Sequence, residues 1–491
     1  MTSSYTAPLR AFILGVGLLT VTVPLQGKSR YLHATAGNVD VVSSISEERT
    51  KRFLHELIGL RLIIEDLLDT PVTQPDTQVI IFRTQNEMDE FFPPSNLYRM
   101  RLDRKWHTTT SPEGEVFVTV DDWPNDKILR HGAMRLYATR LISRALPKCP
   151  FWIYEGLATF LCTVEYRNGA LRLGEDRIER RDFYFKHAER LPLDETLGKA
   201  WNSKDISGLW HMWLTQDYEG NRSKIRELAR LIREGAPGNA DTVSQAFGQT
   251  VSELQKSLYK HMRRVREVTV DRPAQTAALL DGLTFQPATA LDVAISRNLI
   301  ALTLEKRPSD LGATLASLRD AHPESPRPIE LLGRLATLER DTESANHHWL
   351  QACRRNTRNP YGYLVPLRQA IEPRMAQINL SPSLTAERVE ELRRFADKSV
   401  TLNPGSSEGF QWFAWVEALA PDPQSARMDQ VENSHARYLH PATFLPLAKA
   451  NIRLKRFEHA SRLLDEYERL FGADSPNKPA IEFLRKRTPA F

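Results

Sequence analysis

From Phe53 onward, apolar residues recur at alternating spacings of four and three, through Leu57, Leu60, Ile64 and Leu67. That period lays one apolar stripe along a helix reaching about Leu68. Ser44, with Glu47 three residues later, is placed to cap its start reciprocally. The pattern then changes. Residues 78–82 (QVIIF) form a short apolar run and 115–120 (EVFVTV) alternate as a half-buried strand does. A further short strand is expected at 30–34 and a short helix at 85–91. Two longer helices are expected at about 126–144 and 151–161, and the remainder to Arg266 reads as mainly helical. Strands interleaved with helices predict an α+β unit over 28–270.

Beyond about Pro273 strand signals fade and a longer period takes over. Phe410, Phe413, Ala414 and Ala426 stand 34 residues before Phe444, Leu447, Ala448 and Ala460. A third copy at 326–359 places Leu332, Gly333, Ala336, Ala345, Trp349 and Ala352 equivalently. A weaker unit covers 292–325, and an irregular one at 361–401 contains a proline break near 380–383. Small residues at the eighth and twentieth places let two antiparallel helices approach closely. The pattern resembles the tetratricopeptide repeat. The resemblance implies an all-α, TPR-like solenoid over 271–491, whose concave face would hold protein or peptide partners. Helical hairpins of no particular family are the plainer alternative.

The composition, 41% hydrophobic and 26% charged, is that of a folded chain, and 491 residues call for two or three domains. The net charge of +5 is not gathered into a basic stripe, so nucleic acid is not an expected partner. The short clusters 177–181 (RIERR) and 261–266 (HMRRVR) read as solvated helix faces. Arg10 precedes the apolar run 11–23 (AFILGVGLLTVTV), shorter than the roughly 20 residues of a membrane-spanning helix. Residues 1–27 therefore read as a secretory signal or a short uncleaved anchor. Export follows as an expectation, to periplasm, cell envelope or the extracellular space, with the anchor as the sole membrane contact. Cys149, Cys162 and Cys353 supply no disulfide framework.

The candidate chemistry lies in two stretches, 131–135 (HGAMR) and 152–158 (WIYEGLA). The second, with its Glu155 24 residues after His131, resembles the "W-x-x-E-G-x-A" stretch of peptidase MA-like, gluzincin-type proteins. Leu191-Pro192-Leu193, Leu209-Trp210-His211 and Ala246-Phe247-Gly248 follow in that family's order. The resemblance covers about 28–266 and implies a zincin-like fold. In that family His-Glu-x-x-His holds zinc on one helix, its Glu activates water, and a later Glu completes the ligands. An edge strand such as 115–120 would pair with substrate backbone.

This chain departs where the chemistry is made. Gly132 stands where the activating carboxylate would be. Arg135 replaces the second imidazole with a guanidinium, which does not ligate zinc. His131 and Glu155 alone are too few ligands. The reading is a degenerate, non-catalytic domain with the vestigial site His131, Gly132, Arg135 and Glu155, and with no zinc or other cofactor. Arg135, one turn beyond His131, is expected to pair with Glu155 as a buried salt bridge in place of the metal. Two alternatives stay open: a helical-repeat scaffold that uses the N-terminal domain as a mount, and an enzyme of altered chemistry that recruits His211.

Overall fold

The computed structural model describes residues 30–70, 76–92, 106–111, 114–120, 127–146, 149–174, 193, 197, 213–214, 218–261, 268–270, 278, 280–304, 307–375, 379–438, 441–471 and 477–488. Its strands are β1 (Leu32–Ala36), β2 (Val39–Ser43), β3 (Thr77–Phe82), β4 (Trp106–Ser111), β5 (Gly114–Val120), β6 (Glu165–Arg167), β7 (Ala170–Leu173), β8 (Val268–Val270) and β9 (Gln286–Pro287). Six of them form a mixed sheet in the order β4-β5-β3-β2-β1-β9. β2, β3 and β5 run parallel, while β4, β1 and β9 each pair antiparallel with their inner neighbour.

The helices before the solenoid are α1 (Glu47–Leu68), α2 (Gln85–Asp89), α3 (Lys127–Ala145), α4 (Phe151–Leu161), α5 (Tyr218–Arg233), α6 (Ala240–Phe247) and α7 (Val251–His261). The apolar stripe of α1 is buried as its period predicts, at Phe53, Leu57, Leu60, Ile64 and Leu67. Its cap differs from expectation. Ser46 accepts from Arg49 N, whereas the Ser44 hydroxyl donates to Glu87 in the first turn of α2 and accepts from Arg83 N. Ser44 therefore ties the end of β2 to the turn after β3, and Ser46, directly before the helix, takes the cap. At the other end, Arg222 and Arg226 of α5 reach Asp66, and Arg233 donates to Leu68 O at 2.7 Å. Cations from one helix thus meet the negative C-terminus of another.

The expectation of a mainly helical remainder to Arg266 is corrected by β6 and β7, which with β8, just beyond it, form a second, antiparallel sheet. Asn168 (φ 54) and Gly169 (φ 80) make its two-residue turn. Asn-Gly is the strongest short hairpin signal, because both central residues must adopt positive φ.

Strand β5 is also not half-buried: all seven of its residues are buried. Phe117, with Val79, Ile81, Val39 and Val41, enters a core shared with α1, α3 and α4. Val116, Val118 and Val120, with Val42, Ile80 and Phe82, enter a different core. That second core is closed by Ile295, Leu299, Leu315, Leu331 and Leu335, which belong to the start of the helical stack. The alternation in EVFVTV therefore separates two interiors instead of core from water.

The stack comprises α8 (Ala290–Leu302), α9 (Leu311–Ala321), α10 (Pro326–Leu338), α11 (Thr342–Arg354), α12 (Pro360–Met375), α13 (Ala386–Leu402), α14 (Ser407–Leu419), α15 (Ser425–Tyr438), α16 (Phe444–Arg453), α17 (Phe457–Phe471) and α18 (Lys478–Arg485). The small residues do what the period requires. A Cβ on Gly333 would lie 2.9 Å from the Trp349 indole, and Ala414, Ala448 and Ala460 are fully buried. The proline break falls between helices, where Ser383 N and Leu384 N donate to Leu419 O. Two prolines, Pro366 and Pro373, instead lie within α12. Pro366 has no N–H to offer the Gly362 carbonyl, and the Cys353 thiol donates to that oxygen at 2.9 Å.

A polar seam joins sheet and stack beside the second core. Arg327 of α10 donates to Asp40 at 2.7 Å, to Gln78 at 2.8 Å and to Asp292 at 3.3 Å. His33 meets Asp40 at 2.6 Å. Arg334, about two turns further along the same face of α10, lies 3.8 Å from Asp76 and against Gly114, where a Cβ would also stand 2.7 Å from Asp76 O.

Candidate functional site

Helix α4 is set by its apolar residues. Trp152, Ile153, Leu157, Ala158 and Phe160 are buried, and the Trp152 indole donates to Gly238 O at 2.8 Å. Gly238 (φ 66) leaves no room for a side chain, since a Cβ would meet Pro150 at 2.5 Å. Trp213 packs edge-on to Trp152 and Phe247 packs against Trp213, so the Phe247 of the Ala246-Phe247-Gly248 stretch supports the same helix. Gly248 (φ 65) then ends α6. This packing fixes the rotation of α4 and turns Glu155 toward α3.

There the Arg135 guanidinium donates to Glu155 Oε1 at 2.7 Å. The two side chains meet as expected, but the burial is unequal. Arg135 is 41% exposed and Glu155 13%. Glu155 Oε2 is buried and has no hydrogen-bond partner among the described residues. Thr139 and Thr159 bond back to the carbonyls of Arg135 and Glu155, at 2.9 and 2.7 Å, one turn along each helix. The neighbouring Tyr154 phenol is raised by burial first and by the Glu155 charge second.

His131 lies on α3, one turn before Arg135, and its side chain is outside the described residues, as is the whole of His211. Leu191, Pro192, Leu209 and Trp210 are outside them too, while Leu193 is buried in the first core. Among Gly132, Arg135 and Glu155, the donor set does not fit zinc. Gly132 offers no ligand atom, Arg135 is a fixed cation, and one oxygen of Glu155 is already committed to it.

The expectation that 115–120 forms an edge strand is corrected. β5 is interior, between β3 and β4, and β4 is the edge. Residues 106–111 alternate less clearly than β5 and carry three threonines in succession, so periodicity singled out the wrong member of the hairpin. The Glu115 carboxylate points into the fold, 2.7 Å from Arg144 of α3.

Three charged centres in the rest of the chain were not singled out by sequence. Glu417 of α14, with no exposed surface, takes both Nε and Nη2 of Arg393 at 2.8 and 2.7 Å. It also takes Arg427 Nε at 2.8 Å and Gln424 N at 2.9 Å. At the seam, burial and then Glu330 raise Asp76 to about 7. Burial also acts upward on Asp40, but the His33 hydrogen bond and the Arg327 cation outweigh it and lower the carboxyl. The third is Lys449, in the apolar face of α16. One signal was available for it: the 34-residue register sets Lys449 against Trp415, a charge where the preceding copy has an aromatic.

No family model matches the chain, and no curated protein matches it. The peptidase MA-like resemblance therefore rests on the residues of this chain alone. Among solved structures, the chain is similar to the crystal structure of the yeast Tom70, at 10% identity over 64% of this chain, with a TM-score of 0.20. The chain spans 65% of that Tom70 chain. A superposition that loose carries no structural argument, and what is firm is the chain's own architecture: a stack of paired helices behind a small mixed sheet.

Proposed function

We propose that the chain is a non-catalytic protein that binds protein or peptide partners through its helical stack. The observation that carries this reading is the run of paired helices α8 to α18 with small residues at its closest approaches. Stacked helical hairpins present an extended surface from rigid elements, which suits binding of a segment of chain. The absence of catalysis is supported by the Arg135–Glu155 pair, which puts a permanent cation where a gluzincin-type site needs a second imidazole. We place the domain boundary near 270 on the change of sequence pattern there. We place the protein outside the cytoplasm on the strength of Arg10 and the apolar run 11–23. The purified chain should retain selected peptides from an array without cleaving them and carry zinc well below stoichiometry. Stoichiometric zinc with peptide hydrolysis would overturn the reading.

A second reading is favoured by the shared second core: the N-terminal unit is a mount that closes the first repeat. In that case Arg135→Ala in the full chain leaves every captured peptide in place. Loss of a subset of peptides in that variant returns the N-terminal unit to the binding surface.

A further inference from the structure

Arg327, Glu330 and Arg334 follow one another along α10 at spacings of three and four, so one face of the helix carries cation, acid and cation. The two cations reach the sheet, Arg327 at Asp40 and Gln78 and Arg334 at Asp76. Asp76 directly precedes β3, and its carbonyl accepts from Glu115 N of β5 at 2.8 Å. Glu330 is buried between the two arginines and accepts from the Thr357 hydroxyl. Leu331 and Leu335, the next residues after Glu330 and Arg334, enter the second core. The charged face and the apolar contact are therefore one interface.

Charge does not balance across it. Four carboxyls, Asp40 on β2, Asp76, Asp292 on α8 and Glu330, share two guanidinium groups and the imidazole of His33 on β1. Arg327 is held by Asp40 and Asp292, and Arg334 is the stronger cation for both Asp76 and Glu330. Cys353 of α11 and Tyr363 of α12 also face Glu330, but burial raises both to about 12, so they add no charge. One guanidinium against two carboxyls in a closed interface favours a proton on the pair. The side chain of Asp76 is 28% exposed, whereas Glu330 is buried, so water reaches the pair from the Asp76 side.

We propose that this seam is a proton-operated latch: with one proton held by Asp76 and Glu330, α10 stays closed on the sheet, and loss of that proton loosens α8 to α10 from the second core. Burial and then the Glu330 charge raise Asp76 from 3.8 to about 7, so opening gains as pH rises between those values. His33, raised by its Asp40 hydrogen bond, acts in the same direction, since the positive charge that it contributes is lost as pH climbs past 6.5. Burial acts upward on Asp40, but His33 and Arg327 hold it below 3.8, so it stays charged throughout. The latch does not depend on what the stack binds.

Hydrogen exchange of the full chain, corrected for the intrinsic effect of pH, reads the latch element by element. From pH 5 to pH 8 the protection of β3, β5 and α10 should fall at least about tenfold, while that of α16 and α17 should change less than about twofold. Asp76→Asn should remove most of the fall, Glu330→Gln should shrink it, and Glu155→Gln should leave it in place. An equal fall in every helix would make the effect one of global stability and overturn the latch. So would no fall in the wild type, or a full fall in both seam variants. If Asp76→Asn does not fold, Glu330→Gln decides alone.

Discussion

Glu155 and Glu417 each sit on a helix and each meet arginine, yet one carboxylate is half satisfied and the other fully so. Glu417 has no exposed surface, and both oxygens are met by two guanidinium groups and a backbone N–H. Glu155 has one oxygen on a guanidinium that is 41% exposed, and the other buried without a partner among the described residues. A buried charge is tolerable when all its lone pairs are used, and it then ties together the helices that supply the donors. The Glu417 centre fits that description and joins α13, α14 and α15. The Glu155 centre does not: one oxygen is paired with a half-exposed guanidinium, and the geometry around the other ties no further element to it among the described residues.

The largest effect should come from Glu417→Ala, which removes the buried acceptor shared by Arg393 and Arg427, leaves them only Glu390, the Asp422 carbonyl and Asp397, and should cost about 3–5 kcal/mol in urea unfolding. A loss below about 1 kcal/mol would erase the distinction between the two centres. Asp76, in the seam, falls between them. Its carboxyl is raised to about 7, so the folded state holds a proton that the unfolded state releases near 3.8. Stability from this group is therefore present at low pH and declines as pH rises from about 4 to about 7. Asp76→Asn should gain on the order of 2 kcal/mol at pH 8, after discounting for solvent contact, and nothing at pH 4. The same gain at both pH values would show that the carboxyl is not shifted. The smallest effect belongs to Glu155→Gln, a loss of about 1 kcal/mol or less, because the partner arginine is well solvated. A loss above about 3 kcal/mol would place Glu155 in the same class as Glu417.

Local patterns were legible where a single element decides its own fate. The 3–4 spacing of α1, the apolar run of β3 and the extent of α4 follow from residues a few positions apart, and the 34-residue register brought out the small residues of the stack. The candidate site was legible in part: the one-turn spacing of His131 and Arg135 follows from helix geometry, the pairing with Glu155 was implied only by the peptidase MA-like resemblance, and their exposures depend on packing around them. What escaped was set by distant chain. Nothing within EVFVTV tells that Val116 and Val118 face helices nearly two hundred residues later, or that β4 takes the edge. The Asn168-Gly169 turn is itself a hairpin signal, but flanking strands of three and four residues are too short to show an alternation.

The second core also has a consequence in time. During synthesis its strands are complete at Val120, but the residues that cover their outer face extend to Leu335. Throughout that interval Val42, Ile80, Val116 and Val118 have only the part of their native cover that Met88, Phe91 and Phe92 supply, and the contacts that complete it span a large part of the chain. Such long-range closure slows folding and leaves a sticky intermediate. A nascent chain of this protein therefore carries a partly covered apolar sheet until its first three repeat helices have emerged, and refolding should become less efficient as protein concentration rises.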